Sequence, residues 1–150
     1  MGGDDIFVSK HSKGKYADPF NLGAAINTSH HECDPCITID ESYLIFCRRG
    51  EGYGGHDLYI SFIKRDGSWS RAQNMGEKFN TPYSELCLNL SPDGKYLFFT
   101  SNRRLYYSYS EVPLTYEGKL KVLSSPGNGS ADIYWVDAKI IEELKPKELK

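Results

Sequence analysis

The sequence has no excess of basic charge, no long apolar run and no recognisable targeting segment. Its 150 residues include 18 Lys and Arg against 20 Asp and Glu, a net charge of −2. This balance argues against a nucleic-acid partner, which requires a basic face. No stretch approaches the ~20 consecutive apolar residues of a membrane span. Residues 1–5 carry neither a basic region nor an apolar core, so we predict no signal peptide and a cytoplasmic location for the chain as written, with an exported parent protein as the open alternative.

Catalytic and cofactor motifs are absent as well. No Gly-rich segment has the strand–loop–helix context of a phosphate-binding loop, and the spacing of residues suggests no Ser-His-Asp set. We therefore expect no cofactor. The sequence is instead rich in aromatic residues and glycine, with 11 Tyr, 7 Phe and 14 Gly. Aromatic side chains suit pleated, half-buried surfaces and glycine suits tight turns, so the composition favours β structure.

The sequence repeats itself at an offset of 53 residues. At this offset residues 21–23 match 74–76, residues 26–28 match 79–81, and residues 43–46 match 96–99. Two acidic residues, Glu32 and Asp40, likewise match Glu85 and Asp93. The glycine-rich segment 54–59 echoes 2–7 at an offset of 52, and a third copy, 129–134, follows it by 75. We predict repeats over approximately 2–53, 54–103 and 129–146, with an insertion over 104–128.

Each repeat has the pattern of several short strands. Residues 43–47 and 96–100 are unbroken apolar runs of strand length. Ser91-Pro92-Asp93-Gly94 fits a type I turn between antiparallel strands. Four antiparallel strands in a unit of about 50 residues form a propeller blade. The predicted fold class is therefore all-β, with about two to three blades in an incomplete propeller.

The second repeat also resembles a known family. Residues 91–99, which read SPDGKYLFF, and 101–103, which read SNR, are similar to the WD40-like β-propeller repeat of the Tol type. Residues 52–61, GYGGHDLYIS, resemble the segment that follows it in that family. The resemblance implies the fold and says little about function, because the motif residues shape turns and strands. Members of the family are usually described as binding or envelope-associated proteins.

The number of predicted strands is too small to close a propeller. Two strands from Ile6 and Phe20, four from Asp34 to Met75 and three more give nine, whereas propellers typically have four to eight blades of four strands. We predict one partial propeller domain over 1–150. Either copies assemble to complete it, with a homodimer as the first expectation, or the chain is a fragment of a larger propeller. A short helix over 138–145, ending before Pro146, is expected to cover the edge or face of a blade.

One cluster of potential metal ligands lies just before the first buried strand. Histidine and cysteine are typical zinc ligands, and Cys33 and Cys36 have the spacing of redox and metal motifs. The alternative is that the cysteines are small packed residues, since Leu86 and Thr100 occupy the positions of Cys33 and Cys47 in the next repeat. The candidate ligands are His30, His31, Cys33 and Cys36.

We expect binding by loops on a rigid scaffold, and the insertion is the most individual loop. Its tyrosines offer amphipathic contact area for a protein or glycan, although they could simply pack over a blade. The predicted function is a non-enzymatic interaction module. The alternative is a sialidase-like glycan-binding or glycan-hydrolysing propeller, which would require an arginine cluster; the turn at residues 65–69 partly resembles the Asp-box turn of sialidases. The candidate binding residues are Tyr106, Tyr107, Tyr109 and Tyr116, and the arginines are Arg48, Arg49, Arg103 and Arg104.

Overall fold

The fold is known from a computed structural model that describes residues 2–104 and 115–149. These residues form short strands and two short α-helices, α1 (Tyr116–Leu123) and α2 (Ile141–Leu144). Single 3-10 turns precede and follow α2, at Ala138–Ile140 and Lys147–Leu149. The strands are β1 (Phe7–Val8), β2 (His11–Ser12), β3 (Lys15–Tyr16), β4 (Phe20–Asn21), β5 (His31–Ile37), β6 (Tyr43–Arg49), β7 (His56–Phe62), β8 (Gln73–Asn74), β9 (Glu85–Leu90), β10 (Tyr96–Ser101) and β11 (Asp132–Asp137).

The strands form separate antiparallel sheets. The first sheet contains β1 and β4, the complete sheet has the order β5-β6-β7-β8, and the last sheet has the order β11-β10-β9. This confirms the mostly β, antiparallel architecture and the predicted two, four and three strands. In the described part of the chain no sheet closes on itself. A hairpin of β2 and β3, joined through positive φ angles at Lys13 and Gly14, was not predicted.

The complete sheet and the last sheet contain the same irregularity. The register of β5 and β6 shifts between Cys33 and Cys36, and that of β9 and β10 shifts between Phe98 and Thr100. Asp34 has φ of 49° and Cys87 has φ of 54°, so equivalent non-glycine residues 53 positions apart adopt the left-handed conformation. The Asp34 carboxylate accepts a 2.9 Å hydrogen bond from the Cys87 backbone N–H. The two bulges therefore join neighbouring sheets.

Alternate side chains of the complete sheet enter two different cores. On one side, Ile45 and Ile60 pack with Leu97 and Phe99 of the last sheet. On the other side, Phe46 and its neighbours pack against the first sheet. The period of two along β6 and β7 thus places one layer of sheet on each side of the complete sheet.

The carboxyl-terminal segment packs over the core between the complete and last sheets. The Asp137 side chain accepts a 2.9 Å hydrogen bond from the Lys139 N–H and caps the 3-10 turn that precedes α2. Ile141 is buried, and the Gln73 side-chain amide donates to the Leu144 carbonyl. By contrast, α1 lies within the predicted insertion, where no helix was expected. None of the described helices is long and apolar enough to cross a membrane.

Candidate functional site

The complete sheet holds a buried ion pair built around Glu32. This carboxylate is fully buried and accepts hydrogen bonds from the Thr28 hydroxyl at 2.6 Å and from Arg48 Nε at 2.8 Å. The same guanidinium donates to the Ile26 carbonyl at 2.9 Å. Its Cζ lies 4.3 Å from the centroid of the Tyr59 ring. The arginine therefore neutralises a buried charge, ties the preceding loop to the sheet and makes a cation–π contact.

The last sheet repeats this arrangement with an arginine from a different sequence position. Ser101 is the repeat equivalent of Arg48, and its hydroxyl donates to the fully buried Glu85 at 2.7 Å. Arg103, two residues later, reaches the same carboxylate at 3.4 Å and the Phe79 carbonyl at 2.8 Å. Its Cζ lies 4.6 Å from the Tyr134 ring centroid. The guanidinium is thus retained in space although the residue moves along the chain.

The two ion pairs can be compared with the arginine cluster that sialidase-like chemistry would require at a single site. Arg48 and Arg103 belong to different sheets, and each pairs with its own buried glutamate. Arg49 and Arg104 are exposed. In the described residues, these two arginines, one buried and one half-buried, therefore hold loops in place and are not gathered at a common ligand.

The two candidate metal-binding histidines lie at the start of the complete sheet. The His30 ring packs beside Gly50, in a half-buried position. His31 is exposed, and its Nδ1 lies 3.4 Å from an Asp4 carboxylate oxygen. The two histidine rings thus contact different groups, Gly50 for His30 and Asp4 for His31.

The two candidate metal-binding cysteines flank the bulge of β5. Cys33 lies directly opposite Cys47, and Cys36 lies opposite Ile45. Burial raises the pKa of the Cys36 thiol. Within residues 2–104 and 115–149, no group of three or more His, Cys, Asp or Glu side chains is arranged to hold a metal ion. Cys47 is buried in the core, in agreement with the packing alternative for that residue.

A cavity of about 510 Å³ lies between the β5–β6 and β9–β10 turns. Tyr43 lines it, and burial raises the pKa of this phenol to about 12, with further contributions from Cys36, Asp40 and Glu142. The phenol is therefore protonated at neutral pH. Such a group is not an activated nucleophile.

The candidate tyrosines of the insertion are only partly described. Tyr106, Tyr107 and Tyr109 lie outside the described residues. Tyr116 is the first residue of α1 and is 74% exposed, next to the Thr115 side chain that caps the helix. Its exposure suits a contact residue.

An exposed apolar surface lies on the last sheet and was not predicted from the sequence. Its large side chains are exposed, from 37% for Phe98 to 75% for Ile133. The rings of Tyr96 and Trp135 meet edge to face at 5.3 Å. A hollow of about 700 Å³ adjoins Phe98, Thr100 and Ile133. We call this surface the terminal face, and it consists of Tyr96, Phe98, Thr100, Ile133 and Trp135.

The repeat offsets contained the signal for this surface. They align its residues with strand positions of the complete sheet. The offsets do not tell which sheet has a neighbour on only one face in the described part of the chain. Comparisons with protein-family models, with curated proteins and with solved structures found no significant match to this chain. The functional interpretation therefore depends on the geometry of the chain itself.

Proposed function

We propose that this chain is a non-enzymatic interaction module built from propeller blades of the WD40-like type, and that it binds through the terminal face. One observation carries the proposal: the residues of this face occupy positions that are buried or half-buried in the complete sheet. There, Ile45, Leu58 and Ile60 have no solvent exposure and pack against the last sheet. The equivalent pairs are Tyr96 with Tyr43, Phe98 with Ile45, Thr100 with Cys47, Ile133 with Leu58, and Trp135 with Ile60.

The edge of β11 supports the same conclusion. In the complete sheet, β8 pairs with the outer edge of β7. The strand β11 corresponds to β7, but no strand in the described parts of the chain pairs with its outer edge. An open edge beside an exposed apolar face is a typical site of protein association.

The occupant that we propose is a second copy of this chain, packed terminal face to terminal face. A ring closed by two copies would instead place the first sheet of one copy on the terminal face of the other. That sheet has only the two-residue strands β1 and β4, which is too little to cover the face. Two terminal faces across a two-fold axis cover each other and form a closed assembly.

Light scattering after gel filtration over a range of concentrations tests this proposal. We expect the wild-type chain to be a dimer, and the double variant Ile133→Ser/Trp135→Ser to be a folded monomer. Tyr16→Ser is the matched control because it removes a similarly exposed aromatic side chain on the β2–β3 hairpin, and it should leave the dimer intact. A wild-type monomer at all concentrations would contradict the proposal. Loss of the dimer in Phe7→Ser would favour ring completion instead.

A glycan-binding propeller is the second candidate, supported by the aromatic geometry of the terminal face. Tyr96, Phe98 and Trp135 line a shallow hollow of about 230 Å³. Exposed aromatic rings offer stiff, amphipathic surfaces to a polar ligand. Titration with oligosaccharides, followed by tryptophan fluorescence, should show a change that Trp135→Leu abolishes. Turnover of fluorogenic glycosides that is lost on replacing one buried acid would contradict the non-enzymatic interpretation.

A further inference from the structure

We infer that Cys33 and Cys47 form a modification site, at which a small-molecule disulfide such as oxidised glutathione converts the two thiols into a cross-strand disulfide. The two residues are direct partners in the antiparallel register of β5 and β6. Both are free thiols in the structure. This inference is independent of the proposed interaction function.

The register places the two Cα atoms at a separation that a disulfide can span. Direct partners on antiparallel strands have Cα atoms about 4.5–5.5 Å apart, and disulfides span Cα separations of about 4.4–6.8 Å. The side-chain hydrogen bond between the two thiols lowers the pKa of Cys33 and raises that of Cys47, and burial raises the Cys47 pKa further. The S–H of Cys47 also lies 3.3 Å from the Glu85 carbonyl. The two thiols therefore differ in acidity.

The solvent exposure of the two thiols indicates which of them reacts first. Cys33 is half-buried, whereas Cys47 has no solvent exposure. The Cys33 thiolate attacks one sulfur of oxidised glutathione, the glutathione S–S bond breaks, and one glutathione leaves as a thiolate that takes up a proton. Cys47 then loses its proton to solvent and attacks the Cys33 sulfur, which releases the second glutathione. The two protein thiols are oxidised, and one glutathione disulfide is reduced to two thiols.

The second repeat provides an internal control for this pair. Leu86 and Thr100 are direct partners beside the equivalent bulge, and the Thr100 hydroxyl donates to the Leu86 carbonyl at 3.2 Å. The same backbone arrangement therefore forms without cysteine. The other two cysteines differ in setting, because Cys36 lies opposite Ile45 and Cys87 is exposed on the last sheet.

The test equilibrates the purified chain in glutathione redox buffers, blocks the remaining thiols by alkylation, and measures intact and peptide masses. We expect an oxidised form that lacks two hydrogens and has two fewer alkylated thiols. Digestion of this form should give a disulfide-linked pair of peptides that contain Cys33 and Cys47. The variant Cys36→Ser/Cys87→Ser should form it to the same extent as the wild type. Cys47→Ser should instead accumulate a glutathione adduct on Cys33, because the second thiol is missing.

A matched variant tests whether the chain folds when both cysteines are replaced. Cys33→Leu/Cys47→Thr copies the pair found in the second repeat, so it should fold and form no intrachain disulfide. Three results would overturn the inference. These are a linkage that involves Cys36 or Cys87, a stable glutathione adduct on wild-type Cys33 without closure, and no oxidation of either thiol in strongly oxidising buffer.

Discussion

The complete sheet and the last sheet bury equivalent glutamates and neutralise them in different ways. In the complete sheet, Arg48 is 5% exposed and reaches Glu32 from within a strand. In the last sheet, Arg103 is 15% exposed and reaches Glu85 from beyond the strand end, while the Ser101 hydroxyl takes the nearer place. The comparison shows that the position of the guanidinium in space is retained, whereas its position in the sequence is not.

The two sheets also differ in what covers them. The complete sheet has a neighbouring sheet on each face and a fourth strand at its outer edge. In the described residues the last sheet has a neighbour on one face, with Trp135 exposed on the other. Equivalent apolar positions thus serve as core in one sheet and as surface in the other, and the variants below separate what is common to both sheets from what depends on context.

The largest difference is expected from removing the two arginines. Arg48→Ala leaves the buried Glu32 without its charge partner, which should lower the free energy of unfolding by about 3–5 kcal/mol. Arg103→Ala should lower the free energy of unfolding by about 1–3 kcal/mol. The loss is smaller because Glu85 keeps its hydrogen bond from the Ser101 hydroxyl, and the contact that it loses with the partly exposed Arg103 is 3.4 Å long. Urea unfolding of both variants measures the difference.

A double variant provides the control for this interpretation. Glu32→Gln/Arg48→Met removes both charges together, so it should be more stable than Arg48→Ala if an unpaired buried carboxylate is the cause. Equal losses in Arg48→Ala and Arg103→Ala would contradict the difference drawn between the sheets.

A smaller effect is expected at two equivalent asparagines. Asn80 accepts from the Leu58 N–H at 2.7 Å and donates to the Leu58 carbonyl at 3.1 Å. Asn27 makes the same pair of bonds with Ile6, at 2.8 and 2.9 Å. Asn80→Ala should lower global stability by about 1–3 kcal/mol, because it leaves the buried Leu58 N–H unsatisfied, while the Leu58 carbonyl keeps its 3.0 Å hydrogen bond from the Met75 N–H.

The outcome at Asn27 should be local. The first sheet consists of two-residue strands, so Asn27→Ala should release that segment and leave the rest of the chain folded. Hydrogen exchange measures this as faster exchange of the Ile6 amide with an unchanged rate at Leu58. Uniformly faster exchange across the chain would show that the first sheet is part of the same cooperative unit.

Much of the strand pattern could be predicted from the sequence, because the 53-residue offset aligned apolar runs and turns that the structure then paired. The antiparallel strands and the capped carboxyl-terminal helix follow from local chemistry. The turn at residues 38–41 was less well specified, since Glu41 adopts φ of 55° where the second repeat has Gly94 at 70°. Hydrogen bonds within the turn, from the Glu41 N–H to the Thr38 carbonyl and from the Ser42 N–H to the Thr38 hydroxyl, hold the residue in this conformation.

The candidate sites were harder to predict because they depend on contacts between segments. The spacing of Cys33 and Cys36 suggested one shared site, but the bulge gives each a different partner across the strand. Arg103 could not be assigned to Glu85 because its repeat equivalent carries no charge at that position. To predict the terminal face, one must know which sheet has a neighbour on only one face among the described residues, and periodicity within a strand does not contain that information.

The smallest expected effect concerns the carboxyl pKa values of Asp40 and Asp93, which occupy equivalent turns. Hydrogen bonds from Ser91 and Lys95 lower the pKa of Asp93 from 3.8 to about 2. Hydrogen bonds from Thr38 and Ser42 also lower that of Asp40. Because the folded-state pKa is depressed, each carboxylate stabilises its turn fully above the unfolded pKa of 3.8, and the contribution is lost as the pH falls through the folded-state pKa, which is about 2 for Asp93. NMR titration of the carboxyl carbons should give a midpoint near 2 for Asp93, and Lys95→Ala should raise it by removing the 2.9 Å ion pair. A midpoint near 3.8 in the wild type would show that the turn does not hold its carboxylate in solution.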